Sequence, residues 1–194
     1  MENNKIVEKI QKLEESLYKG AQEIQELRRQ LSPEEVKDYI FDTADGSSQK
    51  LSDLFGDKSD LIIIHNMGKQ CPYCTLWADG FNGLTHHFED RAGFVVVSHD
   101  PPDVQKQFAE SRNWTFRMAS DPMNEFTFDM GYLNEEKTHY MPGYSTFVKK
   151  DNGKIYRIGT SFLGPNDLYC SIWPMFGLLD GGVGDWQPKF GYGE

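Results

Sequence analysis

Apolar and polar residues alternate along the first part of the chain with the spacing of an α-helix. One set of apolar residues recurs at intervals of four and three positions, with Gly20 in the remaining place of the repeat: Ile6, Ile10, Leu13, Leu17, Ile24, Leu27 and Leu31. The other positions carry mainly Glu, Gln, Lys and Arg, so the pattern predicts a heptad-like helix with one narrow apolar stripe. We expect residues 1–31 to form an N-terminal helical arm.

This arm needs a surface on which to bury its apolar stripe. Its own domain would serve, and so would the arm of a second copy of the chain, which makes a homo-oligomer through this helix one of two expectations. The repeat is short and Gly20 weakens it, so docking on its own domain is the favoured expectation.

Three short elements are predicted after the arm. Residues 32–35 form a capping-box pattern with proline at the first helical position, which predicts a new helical turn. Residues 39–41 have the composition of a short strand, and the Asp-Gly pair at 45–46 marks a turn after it. The apolar residues within 51–55 have the spacing of a short helix.

Two continuous apolar runs, 61–65 and 94–97, predict strands that are buried on both faces of a sheet. Between them, five apolar residues mark one face of a helix: Leu76, Trp77, Phe81, Leu84 and Phe88. Strand, helix and strand in this order predict a right-handed parallel crossover. A helix over 100–111 and a strand over 115–119 repeat the pattern.

A hairpin and a last helix complete the predicted domain. The runs 144–149 and 154–158 flank an Asp-Asn-Gly turn, which pairs two antiparallel strands. A helix is expected to begin at Gly164. This order of elements predicts an α/β fold over 37–179, in which helices flank a mixed sheet. Residues 180–194, rich in glycine and aromatic residues, are expected to form a tail that docks through its rings or frays.

Composition and charge exclude several classes of function. The chain has 30 Asp and Glu against 20 Lys and Arg, a formal net charge of -10, so most of its surface would repel nucleic acid or an anionic membrane. The N-terminus lacks the pattern of a secretory signal, and the longest apolar run, 61–64, is too short to cross a bilayer. Only three cysteines occur, which favours a reducing, cytoplasmic location.

The strongest chemical signal is a pair of cysteines, Cys71 and Cys74, separated by Pro72 and Tyr73. The pair directly follows a predicted buried strand and opens a predicted helix, where unpaired N–H groups and the helix dipole stabilise a thiolate. We expect Cys71 to be an exposed nucleophile with a low pKa and Cys74 to resolve the mixed disulfide that it forms. Lys69 is expected to add positive potential nearby.

The cysteine pair has two alternative uses. A structural zinc site needs four ligands, and the nearest candidates, His86 and His87, are adjacent and lack the spacing of a second ligand pair. The second alternative is a pair of inert, packed thiols. Position between strand and helix favours redox chemistry that needs no metal and no organic cofactor.

The strand, the C-x-x-C motif, the crossover and the hairpin resemble the thioredoxin superfamily over 37–179. Several stretches are similar, in the same order, to one bacterial family within it, the thioredoxin-like domain of unknown function 899: DGSSQKLSDLFG, LIIIHNMG, CPYCTLWADGFNG, VVVSHDPP, NWTF and PGYSTFVKKDNGKIYR. The resemblance implies a thioredoxin-like fold and a thiol site for most of the chain, N-terminal helix included. It implies no particular reaction.

The substrate-docking edge departs from the pattern of related families. CPYC also resembles the glutaredoxin motif, which would imply glutathione, but the Thr-Val-Pro tripeptide of glutaredoxins is absent. Thioredoxins place a cis-proline before the strand that faces their cysteines. When that strand is aligned on residues 146–148, the proline position falls near Ser145.

Three other side chains are candidate members of the site. In thioredoxins a buried acid helps to deprotonate the second cysteine, and Asp79 on the predicted helix is a candidate for this role, with a solvent-facing carboxylate as the alternative. His65 and His99 end the two central strands, where ligands of open sheets bind. A hydrogen-bonded core histidine is the commoner outcome at such positions.

The favoured function is thiol-disulfide exchange with a protein or small-molecule disulfide, supported by a separate electron donor. A thiol peroxidase is the second enzyme hypothesis, with Cys170 as an alternative resolving thiol or a buried core residue. Against it, Gly68 stands where the peroxidase pattern P-x-x-x-T-x-x-C has threonine. A non-enzymatic interaction protein on a thioredoxin scaffold is the third hypothesis, and it predicts ordinary reactivity at both thiols.

Overall fold

The computed structural model describes residues 2–193. Seven helices occur in this part of the chain: α1 (Glu2–Gln30), α2 (Leu51–Leu54), α3 (Pro72–Asn82), α4 (Thr85–Arg91), α5 (Pro102–Arg112), α6 (Glu125–Asp129) and α7 (Ile172–Phe176). It also holds eight strands: β1 (Glu34–Val36), β2 (Ile40–Asp42), β3 (Ser48–Lys50), β4 (Asp60–His65), β5 (Gly93–Ser98), β6 (Arg117–Ser120), β7 (Gly143–Lys149) and β8 (Ile155–Phe162). The chain divides into two compact units, the first ending at Glu34 and the second beginning at Glu35.

The first unit is dominated by α1, a helix of 29 residues. The predicted N-terminal helix is therefore confirmed. No side chain of α1 is buried. The seven apolar residues of its stripe keep between 44% and 63% of their surface exposed.

The second unit is built on one mixed sheet of eight strands in the order β1-β8-β7-β4-β5-β6-β2-β3. Strands β4, β5 and β6 are parallel, whereas β7 runs antiparallel to β4 and pairs with β8 as a hairpin. The continuous apolar runs predicted as central strands are β4 and β5, and Leu61 lies opposite Gly93 in their register. The predicted α/β architecture, a mixed sheet flanked by helices, is confirmed.

The sheet separates two apolar cores, because successive side chains of a strand point to opposite faces. On one face, Ile63 packs with Phe126 and Tyr132. On the other face, Ile64 packs with Trp77, Trp173 and both cysteines of the motif. The cysteine motif therefore lies in the second core.

Two local helix predictions are wrong. Residues 34–36, which overlap the end of the predicted capping box at 32–35, form the edge strand β1 beside β8, because pairing within the sheet overrides a weak local signal. The single helix expected from Leu76 to Phe88 is two helices, since α3 ends at Asn82 with Gly83 as its C-cap. Glycine is a poor helix former, which fits a break at this position.

The last predicted helix begins later than expected. Residues from Gly164 form turns, and only α7, Ile172–Phe176, is helical. The Asp167 carboxylate accepts hydrogen bonds from the backbone N–H groups of Tyr169 at 2.6 Å and Cys170 at 3.1 Å. Such side-chain bonds to the backbone compete with helix formation. Cys170 therefore precedes the last helix instead of lying within it.

The C-terminal segment docks through its aromatic rings, which was one of the two expectations. The ring of Trp186 lies edge-on to Phe176 at 4.9 Å and to Trp173 at 6.0 Å. The carbonyl oxygen of Phe190 accepts a hydrogen bond from Arg112 at 2.7 Å. Within residues 2–193, no helix combines the length and the apolar composition needed to cross a membrane.

Candidate active site

A short loop connects the end of β4 to the first turn of α3 and carries the cysteine motif. Gly68 in this loop has a φ of +92°, a conformation that favours glycine. A Cβ atom there would also lie 2.9 Å from both a ring carbon of His99 and a carboxylate oxygen of Asp100. The same Asp100 oxygen accepts the backbone N–H of Lys69 at 2.7 Å. The end of β5 thus holds the loop in place.

Cys71 is the N-cap residue of α3, and Pro72 occupies the first helical position. The Cys71 sulfur accepts a hydrogen bond from the backbone N–H of Cys74 at 3.0 Å. A hydrogen bond from the Cys74 thiol, helped by the backbone N–H groups of Cys74 and Tyr73, lowers the pKa of Cys71 against the opposing effect of burial. Cys71 is therefore the thiol that ionises first.

Cys74 has the opposite electrostatic environment. Its hydrogen bond to Cys71, its burial and the negative charge of the Cys71 thiolate together raise its pKa far above the ordinary value. All three cysteines of the chain are free thiols in this structure. Within the pair, Cys71 is thus the thiol that ionises more readily, and Cys74 is the one that keeps its proton.

The expectation of an exposed nucleophile is wrong. Cys71 retains only 8% of its surface and Cys74 only 3%. Both belong to the second core with Trp77 and Trp173, and the Tyr73 ring stacks on Trp173 at 6.2 Å. The sequence did not reveal this cover, because Trp173 follows the motif by about a hundred residues. A reactant has to reach a recessed sulfur.

Alkylation as a function of pH should separate the three thiols. Iodoacetamide reacts with thiolates, and the thiolate fraction rises as the pH rises through each pKa. The pKa of Cys71 is lowered, whereas burial raises the pKa of Cys170 and that of Cys74 is raised further still. We expect Cys71 to be alkylated at the lowest pH, as measured by peptide mass spectrometry. Alkylation of Cys170 first in the native protein would contradict this assignment.

Lys69 does not take the part expected of its side chain. The side chain is exposed, and the contact that fixes the residue is its backbone N–H bond to Asp100. The groups that lower the pKa of Cys71 are the Cys74 thiol and two backbone N–H groups. The Cys74 thiol, helped by the backbone N–H groups of the first helical turn, thus supplies the stabilisation of the thiolate.

Asp79 is held away from the role of an acid under the cysteine pair. Its carboxylate accepts hydrogen bonds from the guanidinium of Arg112, at 3.0 Å from Nε, and from the indole N–H of Trp114 at 2.8 Å. The short contact from Nη2 of Arg112 completes a two-point ion pair. Arg112 also binds the carbonyl of Phe190, so Asp79 helps to fix α5 and the C-terminal segment against α3.

Ser145 lies on the other face of the sheet from the cysteines. It is fully buried, and a hydrogen bond of 3.0 Å joins its hydroxyl to Nε2 of His65. The His65 ring stacks on Tyr132 at 3.8 Å in the first core, and burial lowers its pKa well below the ordinary value. Pro142 instead lines a water-sized cavity beside Cys74, so the proline next to the pair lies three residues before Ser145.

His99 and Cys170 are both close to the motif in the fold without joining it. The His99 ring stacks on Tyr140 at 4.2 Å and packs against Gly68. Cys170 is 9% exposed in the second core and lines an apolar groove beside α3, together with Trp77 and Ile172. In residues 2–193, no three His, Cys, Asp or Glu side chains are grouped as metal ligands.

The sequence matches one protein family and a relative named as a peroxiredoxin. A family model described as a bacterial protein of unknown function (DUF899) matches residues 4–183. A protein of Mycobacterium tuberculosis named as a peroxiredoxin, found in strains CDC 1551 and H37Rv, is 28% identical over 128 residues. The match spans 65% of this chain and 82% of that relative.

Solved structures show a similar fold. The crystal structure of the peroxidoxin BcpB from Mycobacterium tuberculosis is 27% identical, with a TM-score of 0.53 over 64% of this chain and 81% of that one. A peroxiredoxin-like protein from Aquifex aeolicus is 22% identical, with a TM-score of 0.53 over 68% of this chain and 75% of that one. At 22% identity, the second structure supports the similarity of the fold alone. The fold is thioredoxin-like, and its neighbours are peroxiredoxin-like proteins.

Proposed function

The chain belongs to the bacterial family of unknown function DUF899, and we propose that it is a thiol peroxidase in which Cys71 reduces a hydroperoxide and Cys74 resolves the product. The observation that carries the proposal is the state of Cys71, an N-cap thiol with a lowered pKa and only 8% of its surface exposed. A small peroxide reaches such a recessed sulfur more readily than a folded protein disulfide does. The relatives named as peroxiredoxins support the same choice.

The first step is attack by the Cys71 thiolate on the outer oxygen of the hydroperoxide. An S–O bond forms, the O–O bond breaks, and the departing alkoxide or hydroxide takes up a proton to leave as an alcohol or water. Cys71 becomes a sulfenic acid, so the sulfur loses two electrons and the peroxide gains them. Peroxiredoxin-like chemistry needs no metal or organic cofactor for this step.

The second step is attack by Cys74 on the Cys71 sulfenic acid. An S–S bond forms, the S–O bond breaks, and the hydroxyl group leaves as water with the thiol proton of Cys74. Two of the causes that hold the pKa of Cys74 high are the hydrogen bond to Cys71 and the charge of its thiolate. Both are lost once Cys71 is oxidised, which favours ionisation of Cys74 at the moment when it is needed.

An external thiol has to return the disulfide to two thiols. Two electrons and two protons from a dithiol protein, or from two small thiols, restore Cys71 and Cys74 and leave the donor as a disulfide. The same exchange run on a substrate disulfide is the second candidate function. The C-x-x-C spacing favours it, and so does Gly68 at the place where a peroxidase threonine is expected.

Separate assays with a peroxide and with a protein disulfide test the proposal. Fully reduced protein is mixed with hydrogen peroxide or cumene hydroperoxide, quenched in acid, and assayed for remaining thiols. We expect loss of Cys71 and Cys74 with a rate constant about 10²-fold or more above that of free cysteine, because the N–H groups at the helix start stabilise the reactive thiolate. Insulin reduction with an excess of small thiol should be slow in comparison.

The opposite ranking would replace the proposal by the second candidate. A peroxide rate no faster than that of free cysteine, together with efficient insulin reduction, assigns the pair to disulfide exchange. Slow reaction with both substrates would remove both enzyme functions. A variant with Cys170→Ser serves as the control, since Cys170 takes no part in either scheme.

A further inference from the structure

The apolar stripe of α1 has the composition of a specific kind of coiled coil. When the repeat is written as heptads, the a positions are Ile10, Leu17, Ile24 and Leu31, and the d positions are Ile6, Leu13, Gly20 and Leu27. Two of the heptads, Ile10 with Leu13 and Ile24 with Leu27, carry a β-branched residue at a with leucine at d, the combination that favours two parallel strands over three or four. These four side chains are all at least 44% exposed in the single chain.

Two ion pairs on the outer side of α1 form within the helix itself. Lys19 pairs with Glu15 at 2.7 Å, and Arg29 pairs with Glu26 at 2.9 Å. All four residues fall at the c and f positions of the heptad, away from the stripe. Local i,i+3 and i,i+4 pairs of this kind support the helix itself and leave the stripe available to a partner.

The charges that border the stripe select one orientation. In a parallel pair in register, a g residue faces the e residue five positions later in the partner helix. Lys9 then faces the partner's Glu14, and Glu23 faces the partner's Arg28, so both contacts join opposite charges. The symmetry of the pair makes each contact twice.

An antiparallel pair gains none of these contacts. With the stripes of two antiparallel helices superposed, g residues face g residues and e residues face e residues. Lys9 then faces Gln30 and Glu23 faces Ser16, while Glu14 faces Ala21. Charge complementarity therefore favours the parallel arrangement.

From these observations we propose that α1 forms a parallel, in-register, two-stranded coiled coil with α1 of a second copy of the chain. The exposed apolar stripe of α1 thus packs against the same stripe of a second molecule. The proposal is independent of the thiol chemistry, since it concerns only the unit that ends at Glu34.

Gly20 occupies a d position in the middle of the repeat, so a larger apolar residue at this position tests the proposed dimer. No atom lies within 4 Å of the place where its Cβ would be, and its φ is not in the left-handed region. In the coiled coil, Gly20 leaves a gap where the other d positions carry Leu or Ile. We expect Gly20→Leu to tighten the dimer by about tenfold or more, measured as the dissociation constant by sedimentation equilibrium of the full chain.

A charged substitution at an a position should have the opposite effect. Wild-type protein is expected to sediment at twice its chain mass of 22.3 kDa, and Leu17→Glu should sediment as a monomer. Tyr18→Glu is the matched control, because it places the same residue one position away at an outward-facing b position and should leave the dimer intact. Circular dichroism checks that the sheet-containing unit of each variant stays folded.

Charge exchange and cross-linking test the orientation. Lys9→Glu should weaken the dimer by placing two acidic side chains opposite each other, and Lys9→Glu combined with Glu14→Lys should restore it. Leu13→Cys, with the three native cysteines replaced by serine, should give a disulfide-linked dimer on mild oxidation, because only a parallel pair brings position 13 opposite itself. A monomeric wild-type protein, a dimer that survives Leu17→Glu, or no cross-link at position 13 would each overturn the proposal.

Discussion

Replacing Cys71 by serine should abolish peroxide reduction, lowering the second-order rate constant by about 10³-fold or more. The hydroxyl of serine is not ionised by the hydrogen bonds that lower the pKa of the Cys71 thiol, so no nucleophile remains at the start of α3. Peroxide consumption is followed in single-turnover and steady-state assays. Circular dichroism should show that the Cys71→Ser variant keeps the wild-type fold.

Cys74→Ser should separate the two steps. The first reaction with peroxide should persist, and Cys71 should accumulate as a sulfenic acid that dimedone traps, because its partner in the disulfide is missing. Steady-state turnover should then fall to the rate at which an external thiol attacks that sulfenic acid. Cys170→Ser is the matched control with normal turnover. If Cys170→Ser stopped turnover and Cys74→Ser did not, Cys170 would be the resolving thiol.

The substitution Gly143→Ala is expected to destabilise the fold by about 3 kcal/mol, at the upper end of overpacking effects. Gly143 begins β7 opposite His65, and a Cβ there would lie 2.5 Å from the backbone oxygen of Ser161 and against the ring of Tyr132. Neither neighbour can move easily. The Tyr132 ring is fully buried, and its hydroxyl donates a hydrogen bond to the carbonyl of Tyr144 at 2.7 Å.

Gly80→Ala provides the matched control for this prediction. Gly80 is exposed within α3, with no atom within 4 Å of the place of a Cβ, so alanine should stabilise the protein by about 0.5–1 kcal/mol. Urea unfolding midpoints measure both variants. Equal midpoints for the two alanine variants would show that the space around Gly143 is not limiting.

The sequence predicted those parts of the fold that depend on continuous local patterns. The apolar runs of β4 and β5 and the Asp-Asn-Gly turn between β7 and β8 are strong signals, because each is decided within a few residues. The position of the cysteine pair between a strand and a helix followed from them. Short elements such as β1 and α6 escaped prediction, since sheet pairing and tertiary packing stabilise them more than their own sequence does.

The surroundings of the site were less predictable than its position. Asp79 is held by Arg112 and Trp114, which lie more than thirty residues further along the chain. The spacing of residues in a sequence does not predict a contact of this kind. The burial of Cys71 likewise depends on the C-terminal part of the chain. The lowered pKa of Cys71 was predictable, because the groups that lower it, first the Cys74 thiol and then two backbone N–H groups, belong to the first turn of the same helix.

The Tyr73 ring lies close to two tryptophan side chains of the second core. Tyr73 lies between the two cysteines in the chain, and its ring is 6.3 Å from Trp77 and 6.2 Å from Trp173. Trp173 in turn lies 6.0 Å from Trp186. We expect the disulfide proposed for Cys71 and Cys74 to change the surroundings of these indoles, so that the intrinsic fluorescence of the protein reports the oxidation state of the pair with no added dye.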